Sequence, residues 1–371
     1  MPTIFLQRGK VLSIIKEREN LQEIEVEIGK RKEKAYNFPQ LTGIVKAGDR
    51  VLLNTTAVEL ALGTGGYHFV VANLSNPSFS HQDKGHIMKL RYTPLQFAVF
   101  STEEEGNPMR EAFDSFKSLR HIPVVCCILH SQIAGVAAGA RYKHPEAKIA
   151  YIMTDSACLP LPLSDLVYAL KKEGFIDATI TCGQAFGGDY EAVNIYSALA
   201  IAHKVAGANI VIVSQGPGNV GTRTRLGFSG IDQVIALNAA YTLGGMPIAC
   251  LRISFAEERL RHFGLSHHSR TILGELSLVS AIVPLPILPK DKMLLLKDYL
   301  TGSDIIGRHR VVVEDGEPAL TLLREHEISV KTMGRGIEED REFFLAAGAA
   351  GIVAAKLLRK EELTFWDEYG L

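Results

Sequence analysis

Over roughly the first 74 residues, apolar positions come in short runs or at every second place. The stretch Glu23-Ile24-Glu25-Val26-Glu27-Ile28 alternates strictly and puts Ile24, Val26 and Ile28 on one face of a strand. Val11 to Ile15 reads as another strand, and Val45 to Val51 as a tight turn into the next. Gly63-Thr64-Gly65-Gly66 reads as the turn of a hairpin joining residues 58–62 to 67–71. Several short strands with turn signals predict a small all-β, barrel-like domain over residues 1–80. Leu74 to Gly85 is rich in Ser, Asn, His and Gly and marks a linker.

From residue 86 the pattern becomes continuous apolar runs separated by helical periodicity. Strands are predicted at 95–100, 123–129, 148–153, 175–182, 209–213, 247–253, 310–313 and 329–332. Helices are predicted near 109–116, from 131, and over 162–172, 190–205, 231–243, 318–326 and 338–358. Apolar strands alternating with helices predict a doubly wound, mainly parallel α/β sandwich, Rossmann-like, over residues 86–371. Sheets of this kind bind ligands at the carboxyl ends of their strands. The loops after each strand are therefore the places to look.

Composition narrows the classes of function. The chain has 371 residues, 47% hydrophobic and 22% charged, with a formal net charge of -1. That balance argues against a nucleic-acid partner or an attraction to a membrane surface. The longest uncharged apolar run, Phe343 to Ala355, is too short to span a bilayer as a helix. The five cysteines form no C-x-x-C pair, which fits reduced, buried thiols in a cytoplasm. No signal peptide is read at the N-terminus.

One strand-end loop stands out. Ser214 to Gly230 is glycine-rich and carries Arg223 and Arg225. Gly216-x-Gly218-x-x-Gly221 matches a dinucleotide fingerprint in spelling, but the following helix starts too late and no acid follows at the usual spacing. Thr222 stands where a P-loop would need lysine, and Ser229 lacks the second glycine of a G-x-S-x-G elbow because position 231 is Ile. What remains is an anion cradle of Gly216, Gly218, Gly221, Thr222 and Ser229, with an arginine as the charged partner.

A second stretch, Arg261 to Arg270, packs His262, His267 and His268 between two arginines. Such histidines serve general acid–base chemistry when a carboxylate orients them, and Asp155, Asp189 and Glu191 are the candidates. No established zinc spacing is present, so no metal is expected. Asp189 also reads as the N-cap of the helix predicted after it.

The runs Met88 to Gln96, Phe186 to Asn194, Gly221 to Gly230 and Gly264-x-Ser266-His267-His268 resemble a bacterial family described only as a domain of unknown function. The resemblance covers most of the chain, including the Gly63 to Gly66 turn. It implies no catalytic role, and it favours Arg225 over Arg223.

The leading expectation is an enzyme acting on an anionic small molecule, phosphorylated ones included. Arg225 and the loop would hold the anion, and His267 or His268 would move the proton. The alternative is a non-catalytic metabolite-binding or regulatory protein whose barrel contacts a partner. A nucleic-acid-binding barrel ranks third. No cofactor is assigned, and a homo-oligomer is left open.

Overall fold

The computed structural model describes residues 2–63, 65–82 and 84–369. The chain forms two compact units, residues 1–100 and 101–371. Each is described by itself.

In the first unit five strands close into a mixed barrel. They are β1 (Leu6–Arg18), β2 (Leu21–Ile28), β3 (Arg31–Asn37), β4 (Arg50–Asn54) and β5 (Tyr67–Asn73), in the order β1-β2-β3-β5-β4. The alternation in β2 turns Ile24, Val26 and Ile28 inward, against Val11, Ala35, Val51, Leu53 and Val70. β1 is long enough to pair with both β2 and β4, and its register shifts between Val11 and Ser13 and between Ile14 and Lys16 bend it around the barrel. Single helical turns α1 (Pro39–Thr42) and α2 (Thr56–Glu59) join the strands. α2 replaces the first arm of the hairpin expected over 58–71, and Thr64 of its turn lies outside the described residues.

Two short strands, β6 (Ile87–Lys89) and β7 (Phe97–Val99), pair only with each other. The strand expected at 95–100 is therefore part of a ribbon and does not enter the large sheet.

The second unit begins with α3 (Arg110–Asp114), then β8 (Pro123–Cys126), α4 (Gln132–Lys143), β9 (Ile149–Thr154), α5 (Asp165–Lys172) and β10 (Ala178–Cys182). It continues through β11 (Tyr190–Ala192), α6 (Ile195–Lys204), β12 (Ile210–Gln215), α7 (Asp232–Thr242) and β13 (Met246–Ala249). Next come the small ribbon β14 (Ile253–Ser254) and β15 (Gly264–Leu265), α8 (His267–Thr271), β16 (Ile282–Pro286), α9 (Lys290–Gly302) and α10 (Ile305–Arg308). The chain closes with β17 (Arg310–Glu314), α11 (Glu317–Glu325), α12 (Arg341–Leu358) and β18 (Thr364–Phe365).

Nine strands build one sheet, ordered β11-β10-β9-β12-β8-β13-β16-β17-β18, and every neighbouring pair is parallel except β17 with β18. The expected α/β architecture with an N-terminal barrel is what the chain adopts. The eighth strand expected at 329–332 does not form, and β16, which was not expected, enters the sheet between β13 and β17. Pro284 and Pro286 lack the N–H a central strand needs, so the sequence disguises it, and its pairing with β13 shrinks to Ile248 opposite Ile282.

From β8 the chain crosses to β9 on one side of β12, whereas from β12 it crosses to β13 on the other side of β8. Right-handed crossovers in opposite directions put α4 and α7 on opposite faces of the sheet. The switch point lies between the carboxyl ends of β8 and β12. Three glutamines bind the chain together there. Gln132 accepts from the backbone N–H groups of Ile128 (2.9 Å) and Leu129 (3.0 Å) and donates to Leu251 O. Gln215 donates to Ile128 O, and Gln233 donates to the carbonyls of Cys126 and Cys250.

One face of the sheet is covered by α4 and α12, whose small residues let the backbones approach closely. A Cβ on Gly351 would lie 2.0 Å from Val136 O, and one on Gly139 would lie 2.2 Å from Gly348 O. The apolar run 343–355 is the buried middle of α12, and among the described residues no helix is long and apolar enough to cross a membrane. All five cysteines are free thiols.

Gly351→Ala forces the α4–α12 backbones apart. Overpacking of this kind costs about 1–3 kcal/mol, which a fall in the urea midpoint at unchanged m-value measures.

Candidate functional site

The sequence from Arg252 to Glu275 folds back on itself beyond β13. β14 pairs with β15, and Ser266 N bonds Arg252 O (3.0 Å) while His267 N bonds Arg261 O (2.8 Å). Ser266 caps α8 by accepting from His268 N (3.2 Å). This fold-back sets His262 beside the adjacent residues His267 and His268. Their ring centroids lie 4.4 to 4.8 Å apart, and one ring nitrogen of each falls within 4.8 Å of the others.

All three histidines are held neutral. Burial, then Arg252 and Arg259, push His262 down to about 3. Burial, then Arg252 and the other two rings, push His268 down to about 2. His267 is lowered by burial, then by Arg261 and Arg270. His262 Nδ1 lies 2.7 Å from Ser266 Oγ, and His268 Nδ1 lies 3.3 Å from Arg252 Nη1. His267 Nε2 is buried without a hydrogen-bond partner.

Beneath the rings lies an ionic cluster. Arg252 is 4% exposed and Glu257 6%. Glu257 accepts from Arg259 Nε at 2.8 Å and lies within 3.7 Å of Arg252 and 3.6 Å of Arg335. Arg335 in turn meets Asp340 at 2.9 Å. The hydrogen bonds from Arg259 pull the Glu257 carboxyl down to about 2, more strongly than burial raises it.

The strand-end loop reaches this site with its second half. It closes as a hairpin, with Gly221 bridged to Phe228, Thr222 N on Gly227 O (2.8 Å) and Ser229 N on Val220 O (2.9 Å). Phe228 then lies flat on the His268 ring, with centroids 3.8 Å apart and planes 4° from parallel. Beyond this stack opens a cavity of about 640 Å³, lined from the loop by Arg223, Thr224 and Arg225. Arg261, His267, Arg270, Thr271 and Glu275 line it from α8 and its continuation, and residues 302–304 close it. Four arginines face two carboxylates there, Glu275 and Asp304. Arg225 pairs with Glu275, which rides on a π-helical turn, Ile272–Leu276. Arg261 Nε and Arg270 Nε are buried without a partner, as His267 Nε2 is.

Arg225 and His267 thus share one cavity, and His268 adjoins it behind Phe228. The other residues singled out in the sequence lie elsewhere. Gly216 packs against Cys158, where a Cβ would meet its carbonyl at 2.3 Å. Gly216, Gly218, Gly221, Thr222 and Ser229 do not line the cavity, and the N–H groups of Thr222 and Ser229 are spent on the hairpin. Asp155 accepts from Gln184 N (2.7 Å) and ties two strand ends together.

Asp189 does not cap a helix, because β11 intervenes and the cap of α6 is Asn194. β11 runs parallel to β10, so the chain must return to the amino end of β10 first, and this sets Asp189 beside Thr179. There it binds Lys171, Thr179 N (2.8 Å) and Thr179 Oγ1 (2.9 Å). Burial opposes its ionisation, yet these bonds hold its carboxyl below the ordinary value. Glu191 accepts from Gly187 N (2.7 Å). None of the three carboxylates lines the cavity. Glu275 and Asp304, which do, carry no local sequence signal. His262 lay within the conspicuous histidine stretch, but only the fold-back reveals its position.

The stability from Glu257 is complete above its unfolded value near 4.5 and is lost as pH falls through its folded value of about 2. Glu257→Gln removes the counter-charge of buried Arg252. It should lower stability at pH 7 by about 3–5 kcal/mol and flatten the decline on acidification below pH 4.5, both read from urea melts across pH. Equal acid slopes in the two proteins would refute this role.

A search among curated proteins finds no match to this chain. The family model described as "Protein of unknown function (DUF3866)" matches residues 34–351, which takes in the last strands of the barrel, from within β3 onward, and the whole cavity. The chain belongs to this family.

Proposed function

We propose that the cavity beside α8 binds an anionic small molecule, phosphorylated compounds included, and that the protein is an enzyme acting on it. The observation that carries this reading is the pair of guanidinium groups, Arg261 and Arg270, that line one cavity with no ion-pair partner among the described residues. Their Nε atoms are shut off from solvent, so an anion in the cavity would meet the outer guanidinium nitrogens. Arg225 adds a third guanidinium that is already engaged by a carboxylate. Glu275 therefore occupies the place of the anion and competes with it. His267 borders the same space and supplies a neutral imidazole where the reacting group would lie.

Binding without chemistry is a second reading, favoured by one observation. Among the described residues, no hydrogen bond or ion pair joins a carboxylate to His262, His267 or His268. A general-base histidine ordinarily has such an orienting partner.

Sulfate and phosphate should raise the melting temperature of the wild-type protein at low ionic strength. Arg225→Ala should weaken sulfate binding about tenfold, in line with loss of a charged hydrogen bond. Glu275→Gln should strengthen it, because the competing carboxylate is gone. Absence of any stabilisation by either anion, or an unchanged affinity in both variants, would overturn the proposal. Consumption of a phosphorylated compound from a metabolite mixture, lost in His267→Gln, separates the enzyme from the binding protein.

A further inference from the structure

We propose that His262, His267 and His268 form a three-histidine site for a divalent transition-metal ion, zinc(II) first, with the arginine-lined cavity on its open side. Three imidazoles with one vacant position are the donor set of a catalytic rather than a structural zinc site. Nitrogen donors without carboxylates or thiolates favour zinc, copper, nickel and cobalt over magnesium or calcium.

The geometry is close to what such an ion needs. Tetrahedral bonds of about 2.0–2.1 Å place ligand atoms about 3.3–3.4 Å apart, and these nitrogens lie within 4.8 Å of one another. Ligation therefore requires the three rings to draw together by side-chain rotation. His262 Nδ1 against Ser266 Oγ (2.7 Å) supplies the outer hydrogen bond that leaves Nε2 free to ligate. His267 Nε2 is buried and meets no partner in the protein, so it can ligate when the ring carries its proton on Nδ1.

Two features set the terms of binding. Arg252 Nη1 faces His268 Nδ1 at 3.3 Å, which fixes the proton of a neutral ring on Nε2. Ligation through Nε2 moves that proton to Nδ1 and requires Arg252 to turn toward Glu257, now 3.7 Å away. The surrounding arginines also repel a dication, and an anion in the cavity offsets that repulsion. Metal and anion therefore bind cooperatively, each strengthening the other by the same factor. This coupling, unlike the metal site, rests on the proposed anion-binding function.

The test loads chelator-treated full-length protein with zinc(II) by equilibrium dialysis, and with cobalt(II) as a spectroscopic probe. One zinc per chain is expected, with visible cobalt bands of a four-coordinate nitrogen site and no thiolate charge-transfer band. His267→Gln, at a half-buried position, and His262→Gln, checked for folding by circular dichroism, should each weaken zinc binding on the order of a hundredfold, at least the loss caused by removing an outer-shell partner. No bound metal overturns the site. So does zinc binding that both variants retain, or a thiolate spectrum, which would place the ion on cysteines. Added phosphate should tighten zinc binding. Tight zinc binding that phosphate leaves unchanged would overturn the anion-binding reading of the cavity and leave the metal site standing.

Discussion

A guanidinium that is almost wholly removed from water needs a counter-charge, and at Arg252 that charge is Glu257. The pairing does more than hold one side chain. Arg252 lies at the turn out of β13, its carbonyl receives Ser266 N, and its own N–H donates to Ser269 Oγ at 3.0 Å. The residue that depends on Glu257 is thus the residue on which the Arg261–Arg270 fold-back is built. That ionic base supports the fold-back that brings the three histidines together.

The same cluster sets the chemistry above it. Arg252, Arg259, Arg261 and Arg270 each contribute to lowering at least one of the histidines. A group of imidazoles that stays uncharged at neutral pH offers lone pairs and N–H groups rather than positive charge. The positive charge of the cavity comes from arginines alone, which do not titrate. Permanent cations thus line the rim, and neutral nitrogen donors lie behind it. Phe228 joins the two by stacking on His268 while closing the hairpin that presents Arg225.

Much of the fold was legible because its signals are local. Continuous apolar runs such as Ile210 to Val213, short, β-branched and bounded by turn residues, read as covered strands in a chain that also alternates with helices. β16 was hidden by Pro284 and Pro286, which are tolerated because one neighbour barely pairs with it. α9 carried its helical spacing in the buried Met293, Leu296 and Leu300, but it stood in a stretch without clear strand partners. β11 is three residues inside a glycine-rich return, too short for any period to show. At the site, the arginine loop and the histidine stretch were conspicuous by composition. Their meeting depends on a switch point and a fold-back, and the carboxylates that share the cavity come from segments with no motif. Asp155 stands at the carboxyl end of β9 and accepts from Gln184 N, whereas a parallel β11 carries Asp189 back to the amino end of β10.

Glu275 sits on a π-helical turn, where one extra residue is accommodated within a single helical coil. Each residue advances an α-helix by about 100°. Loss of one residue between Ile272 and Leu276 would restore ordinary winding and swing the carboxylate off Arg225 without disturbing α8 before it. Relatives of this chain that differ in length by one residue at this turn would therefore differ in the net charge of the cavity while keeping the same fold.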